Sequence, residues 1–276
     1  MSNAQDRGFL WRISKEGRTS FLYGTIHVAK PEWMFPGPNV MDAIRSADTV
    51  ALELDMSNED ISRRITRGMA EMHSEVLPES LERRLRQQAD AVCVSYESMI
   101  ELPPELQVVM LSVFVGRWEA MDSEFGLDGI LGGIGHSAAK NVVSLETPEG
   151  QLKMLQMPSR QETIAFVEDG LEDLESGRAR TMLGKVAKLW SESDFAEMSR
   201  YGEWCECLDS EIDRKMMKRL LDDRNADLSK SIDALHVSGK KVFVAVGSLH
   251  LFGPQGLPTL MEQLGYRVQR VNLNLL

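Results

Sequence analysis

The sequence predicts an α/β fold: a mixed central β-sheet built from two related strand–Gly-x-x-His–helix–strand units at the chain ends, with a mainly helical middle insertion. Three observations lead there. The run Val242-Phe243-Val244-Ala245-Val246 is apolar and rich in β-branched residues, and it exits through Gly247-Ser248-Leu249-His250. That is the pattern of a fully buried strand followed by a sharp turn. Near the other end, Phe21-Leu22-Tyr23 exits through Gly24-Thr25-Ile26-His27. Between them, residues 158–239 keep helical spacing almost throughout.

One Gly-x-x-His after a strand reads first as a satisfied core histidine. The second copy changes that, because the likeness continues downstream. Phe35-Pro36-Gly37-Pro38 compares with Phe252-Gly253-Pro254, and a helix-like segment follows each, Val40–Ala47 and Leu257–Leu264. A strand-like run closes each unit, Thr49–Leu54 and Tyr266–Val271, and the first copy carries extra residues around Lys30–Met34. A pseudo-twofold between the units would bring His27 and His250 to one site at strand ends, where open α/β sheets hold ligands.

In chain order, Ser2-Asn3-Ala4 reads as a cloning remnant, so Met1–Ala4 is set aside and 5–276 is taken as one domain, with 158–239 a helical insertion or cap. Phe9–Ile13 and Phe21–Tyr23 flank the polar Lys15-Glu16-Gly17-Arg18-Thr19, a β-hairpin pattern. Glu53 interrupts the buried-type run Val50-Ala51-Leu52-Glu53-Leu54. A carboxylate there is costly without a partner, and the competing reading is a strand-end charge that reaches water. Asp60–His73 and Leu77–Val92 read as charged surface helices, and Leu106–Met121 as a buried one begun by Pro103-Pro104. The strand Asn141–Thr147 ends in Glu146, a second candidate acid, and Asp128 upstream could cap or orient. The glycines at 132, 133 and 135 lack the Gly-Lys-Ser/Thr ending of a phosphate loop. His136 and His236 read as structural. The middle helix pattern is expected to break near Gly170, Gly177 and Gly202, and Arg224 reads as a surface cation or one that reaches an anionic group at the site.

The 276 residues carry a formal net charge of −11 and no Lys/Arg-rich run, which argues against a nucleic-acid or anionic-membrane surface. The three cysteines, Cys93, Cys205 and Cys207, form no disulfide framework by count. Cys-x-Cys without further Cys or His is a weak metal pair, so these cysteines read as buried or incidental. The longest apolar stretch, Val108–Val115, is too short to span a bilayer and meets Arg117 soon after.

Taken together, Phe21–His27, Ala51-Leu52-Glu53-Leu54, Asp128, Leu145-Glu146-Thr147, Arg224-Asn225, Val246–Leu251 and Gly265–Val268 resemble, in order and over nearly the whole chain, the TraB/GumN family. The resemblance extends to the related Tiki metalloproteases, ChaN haem-binding lipoproteins and erythromycin-esterase-like enzymes. It implies a mixed α/β fold with the Gly-x-x-His histidines in a central cleft. It also implies a bacterial protein, exported to the periplasm or a membrane surface with its signal removed, with the cytoplasm as the alternative location. No membrane span is read in the chain itself.

The function this implies is a divalent-metal-dependent hydrolase, a peptidase acting on a peptide or other small substrate. Two imidazoles and a carboxylate make a ligand set with open positions. His27 and His250 would be metal ligands, with Glu53 as ligand or general base and Glu146 in the other role. Arg224 would stabilise a developing oxyanion. Zinc and manganese both suit the donors, and the likeness to Tiki enzymes points to manganese or cobalt. The rival readings are a non-catalytic peptide-binding or regulatory protein and, last, a haem-binding protein, for which no local motif speaks.

Overall fold

The computed structural model describes residues 4–208 and 210–273, so the remnant expected at Met1–Ala4 lies outside the described residues apart from Ala4. Strands β1 (Phe9–Lys15), β2 (Arg18–Thr25), β3 (Thr49–Leu52), β4 (Asn141–Ser144), β5 (Val242–Gly247) and β6 (Arg267–Val271) form one sheet in the order β4-β3-β5-β2-β1-β6. β4, β3, β5 and β2 run parallel, and β1 is antiparallel to both β2 and β6. The hairpin joining β1 to β2 turns at Glu16 (φ 51°) and Gly17 (φ 75°), the paired positive dihedrals of a tight two-residue hairpin turn. All of β5 is buried between β3 and β2, which is why its sequence shows no alternation.

Helices supply the crossovers. α1 (Pro38–Ser46) lies between β2 and β3. α2 (Glu59–Glu71), α3 (Glu79–Ala91), α4 (Pro104–Phe114) and α5 (Leu127–Ser137) lie between β3 and β4. The segment before β5 is helical, as its spacing predicts: α6 (Pro148–Leu155), α7 (Arg160–Ser176), α8 (Arg178–Ser191), α9 (Phe195–Met198), α10 (Tyr201–Trp204), α11 (Glu211–Met217) and α12 (Asp223–Val237). α13 (Leu257–Gln263) joins β5 to β6. Among the described residues no helix is long and apolar enough to cross a membrane.

Two apolar cores result. One surrounds the sheet and includes Leu22, Val50, Phe243 and Val244. The other is wholly helical, with Leu85 of α3, Met99, Leu111 of α4, and Val167 and Leu171 of α7 fully enclosed. α3, read from its charges as a surface helix, thus also buries Leu81, Leu85 and Ala89 on its inner face. The break expected near Gly170 does not occur. α7 runs through it, and a Cβ there would come within 2.3 Å of Val108 Cγ1, so this glycine permits a close helix crossing. Gly177, at φ 78°, does end α7.

The cysteine reading also needs correction. Cys205 and Cys207 form a disulfide, with Cα atoms 5.0 Å apart. Glu206 between them adopts φ 52°, and this left-handed residue folds the two sulfurs onto each other. Cysteine count alone carries no information about such a local turn.

Candidate functional site

Four parallel strands present their carboxyl ends along one edge, and each delivers one polar side chain there. Glu146 follows β4, Glu53 follows β3, His250 sits in the 3-10 turn Ser248–Leu251 after β5, and His27 follows β2. The pairing registers Leu52 with Ala245 and Ser144, and Thr25 with Gly247, align these exits. The β3–β4 ladder persists past the strands: Leu145 N donates to Leu52 O (2.8 Å) and Glu146 N to Glu53 O (3.1 Å). Ser248 Oγ likewise donates to Thr25 O at 2.7 Å, tying the two histidine loops together.

Glu53 is enclosed, its side chain 11% exposed. Oε1 accepts from Gly247 N at 2.7 Å and lies 3.7 Å from His250 Nε2. Oε2 accepts from Arg224 Nη2 and, at 3.3 Å, from Gln151 Nε2. Burial opposes its charge, but His250, His27, Arg224 and the Gly247 N–H outweigh it and hold the carboxyl down at about 2. Glu146 shares these donors. Its Oε1 takes Arg224 Nε at 2.9 Å, and its Oε2 takes Gln151 Nε2 at 3.0 Å. One guanidinium and one carboxamide therefore bracket two carboxylates.

The histidines differ in their support. His27 Nδ1 meets Asp128 Oδ2 at 2.7 Å, while Thr25 Oγ1 donates to Asp128 Oδ1 at 2.7 Å. The Asp128 charge raises His27 to about 9, against a smaller opposing effect of burial. Its imidazole is 62% exposed, so water screens that attraction. His250 is only 3% exposed. Its Nδ1 meets Asn225 Oδ1 at 2.7 Å, and Asn225 Nδ2 donates to Gln255 O at 2.8 Å. That second bond fixes the amide orientation, so His250 Nδ1 carries hydrogen and Nε2 presents a lone pair towards Glu53. Burial pushes His250 down to about 4, and it is neutral at neutral pH.

Gly247 keeps the centre open. A Cβ built there would stand 3.0 Å from His27 Nε2 and 3.4 Å from Glu53 Oε1, so any larger residue would intrude between them. Arg224 opens α12 directly after a π-helical turn, Lys218–Asp222, and its Nη1 donates back to Leu220 O at 3.1 Å. Such turns recur at functional sites because the extra residue re-aims side chains.

Among the described residues no group of three or more His, Cys, Asp or Glu side chains converges so as to hold a metal ion. Imidazole and carboxylate donors of the kind that divalent ions take do stand side by side at this edge. Each histidine has Nδ1 engaged by an oxygen that sets its tautomer, as ligating histidines do. His27 Nε2 borders the space that Gly247 leaves, and His250 Nε2 lies 3.7 Å from Glu53 Oε1 beside it.

Of the residues singled out in the sequence, His27, His250, Glu53, Glu146 and Arg224 meet at this edge, and Asp128 orients His27. Asn225, Gln151 and Thr25 were not assigned site roles. Asn225 stands beside Arg224 and is buried, but nothing local announces its burial. Gln151 lies within α6 and carries no signal at all. His136 is outside the site, with Nε2 at 2.9 Å from Asp55 Oδ2 and 3.0 Å from Ser57 Oγ. His236 is structural, its Nδ1 on Ser20 Oγ at 2.9 Å.

The fold and this edge define an α/β protein whose parallel strand ends carry a paired-histidine, paired-carboxylate site. The chain belongs to the TraB/PrgY/gumN family, whose profile matches residues 9–270. No curated protein and no solved structure matches it.

Proposed function

We propose that the protein is a divalent-metal-dependent hydrolase acting on a peptide. One observation carries this reading: two imidazoles anchored through Nδ1, His27 by Asp128 and His250 by Asn225, stand beside an ionised, enclosed Glu53, and His27 would release its Nε2 proton on taking an ion. His27, His250 and Glu53 would hold the ion, and manganese, cobalt or zinc suits that mixed imidazole–carboxylate set. When bound, such an ion supplies an acidified water and polarises a scissile carbonyl. The chain's own residues do the rest. Asp128 and Asn225 hold the ring tautomers. Glu146 Oε2 accepts the proton of an attacking water, and Arg224 turns its guanidinium to the charge that develops on the carbonyl oxygen. The Cys205–Cys207 disulfide suits an oxidising compartment and supports the expectation of export to the periplasm or a membrane surface.

A second reading has an observation of its own. Arg224 engages both carboxylates, which leaves neither free as a base and favours a non-catalytic peptide-binding or regulatory protein. Glu53→Gln separates the two. Calorimetry with manganese and zinc should show metal binding by the wild type and its loss in the variant, with circular dichroism showing that the variant is folded at the assay temperature. A peptide-library digest read by mass spectrometry should show cleavage by the wild type alone. Equal metal binding and equal cleavage by both proteins would remove Glu53 from the chemistry. Folded wild type that binds no metal and cleaves nothing would leave the binding reading.

A further inference from the structure

Beyond the strand-end site, α11 and the loop after α6 border an open pocket of about 190 Å³ whose apolar lining is Met157, Pro158, Ile212 and Met216. That is the volume of roughly six liquid waters, the space of one large side chain. Its rim is cationic. Lys215, Lys218 and Arg219 stand within one stretch of helix, and Glu162 is the one carboxylate on the lining among the described residues. A basic rim on a chain of net charge −11 is a local exception.

The cavity and the site share two elements. α11, the π-helical turn and α12 form one helical stretch, so Met216 precedes Arg224 by roughly 12 Å along it. α6 runs from beside Glu146 at one end to the cavity at the other, where Arg219 Nη2 donates to Gln156 O at 2.8 Å. An extended peptide advances roughly 3.3 Å per residue, so the span corresponds to about three or four residues.

We infer that this cavity is a subsite for the C-terminal residue of a peptide, taking one bulky apolar side chain and, at the rim, the free carboxylate. The inference rests on the peptide reading of the strand-end site. The lysines are available for the carboxylate. Lys215 pairs with Glu211 at 2.9 Å and Lys218 with Asp223, both on the exposed helix surface, where such pairs are weak and re-form easily. An anion of the ligand, desolvated against Met157 and Met216, offers them a better partner. With the carboxylate held there, the strand-end site faces a bond about three or four residues from the peptide C-terminus.

The test uses Glu53→Gln protein, which keeps the cavity, with chelator-treated wild type as a second host. Three N-acetylated probes are compared by calorimetry: Ala-Ala-Ala-Leu with a free carboxylate, the same peptide as its amide, and Ala-Ala-Ala-Ala with a free carboxylate. The leucine carboxylate should bind at least about tenfold tighter than the other two. Lys215→Glu with Lys218→Glu should abolish that preference without moving the melting temperature. Equal binding of the three probes, binding of none, or a preference that survives the lysine reversal would overturn the subsite. This readout involves no hydrolysis, so the subsite can fail while the catalytic reading stands, and the reverse. If wild type does cleave, products cut at the last peptide bond, or many residues from the C-terminus, would overturn the proposed register.

Discussion

Replacing Arg224 with Met keeps most of the side-chain volume and removes the guanidinium from between two carboxylates. Arg224 is 14% exposed, Glu53 11% and Glu146 16%, so little water reaches the group. Without it the two carboxylates share only the Gln151 amide, at 3.3 and 3.0 Å. Removing one member of a buried ionic cluster typically costs about 3–5 kcal/mol, since the remaining charges stay desolvated. At about 2–4 °C per kcal/mol, the melting temperature at pH 7 should fall by roughly 10 °C. The loss should also depend on pH. Arg224 helps hold Glu53 down at about 2, so without it a carboxyl takes up a proton in mild acid and the like-charge repulsion ends. The deficit against wild type should therefore shrink between pH 7 and pH 5, and Glu146→Gln added to Arg224→Met should recover part of it. Thermal unfolding followed by circular dichroism at both pH values measures each claim. A fall within about 2 °C, or a deficit unchanged by pH, would refute the view that Arg224 neutralises this pair.

Asp128→Asn should lower the His27 titration midpoint from about 9 towards the ordinary histidine range, because the carboxylate is the main cause of the rise; proton NMR of the ring measures this, and an unmoved midpoint refutes it. His250 gives a pH dependence of known sign. Its folded value of about 4 lies below the ordinary 6.5, so the unfolded chain binds more protons in between and stability falls as pH drops through that window. Urea unfolding of wild type should lose ~3 kcal/mol more than His250→Gln between pH 7 and pH 4; parallel losses would show that His250 is not held neutral by burial.

The sheet was legible where burial was unconditional. β5 is enclosed on both sides, so its apolar run needed no alternation, and the Glu16-Gly17 turn marked the hairpin outright. The helical core was less visible. Glu82, Arg83, Arg84 and Arg86 dominate any reading of α3, while Leu81, Leu85 and Ala89 lie at helical spacing beneath them. Gly170 shows the limit more sharply. A glycine may end a helix or let another helix approach, and only Val108 on α4, far off in sequence, decides between them.

The site divides along the same line. His27, His250 and Glu53 each stand within three residues of the end of a buried strand, so the run that precedes them announces them, and Glu146 follows the half-exposed edge strand β4. Arg224, Asn225 and Gln151 arrive on helices, through packing that no local pattern encodes. Yet the strand-borne motif fixes position and leaves the proton undetermined. His27 and His250 both end a Gly-x-x-His stretch, on adjacent parallel strands, and they lean in opposite directions, to about 9 and about 4. Burial drives His250 down, and its Nδ1 partner, the Asn225 amide, brings no charge to offset that. His27 stands in water, and its Nδ1 partner is the Asp128 carboxylate. The chemical inequality of two like motifs therefore resides in the partners, one aspartate and one asparagine on separate helices, and in the exposure of the two rings, 62% for His27 and 3% for His250.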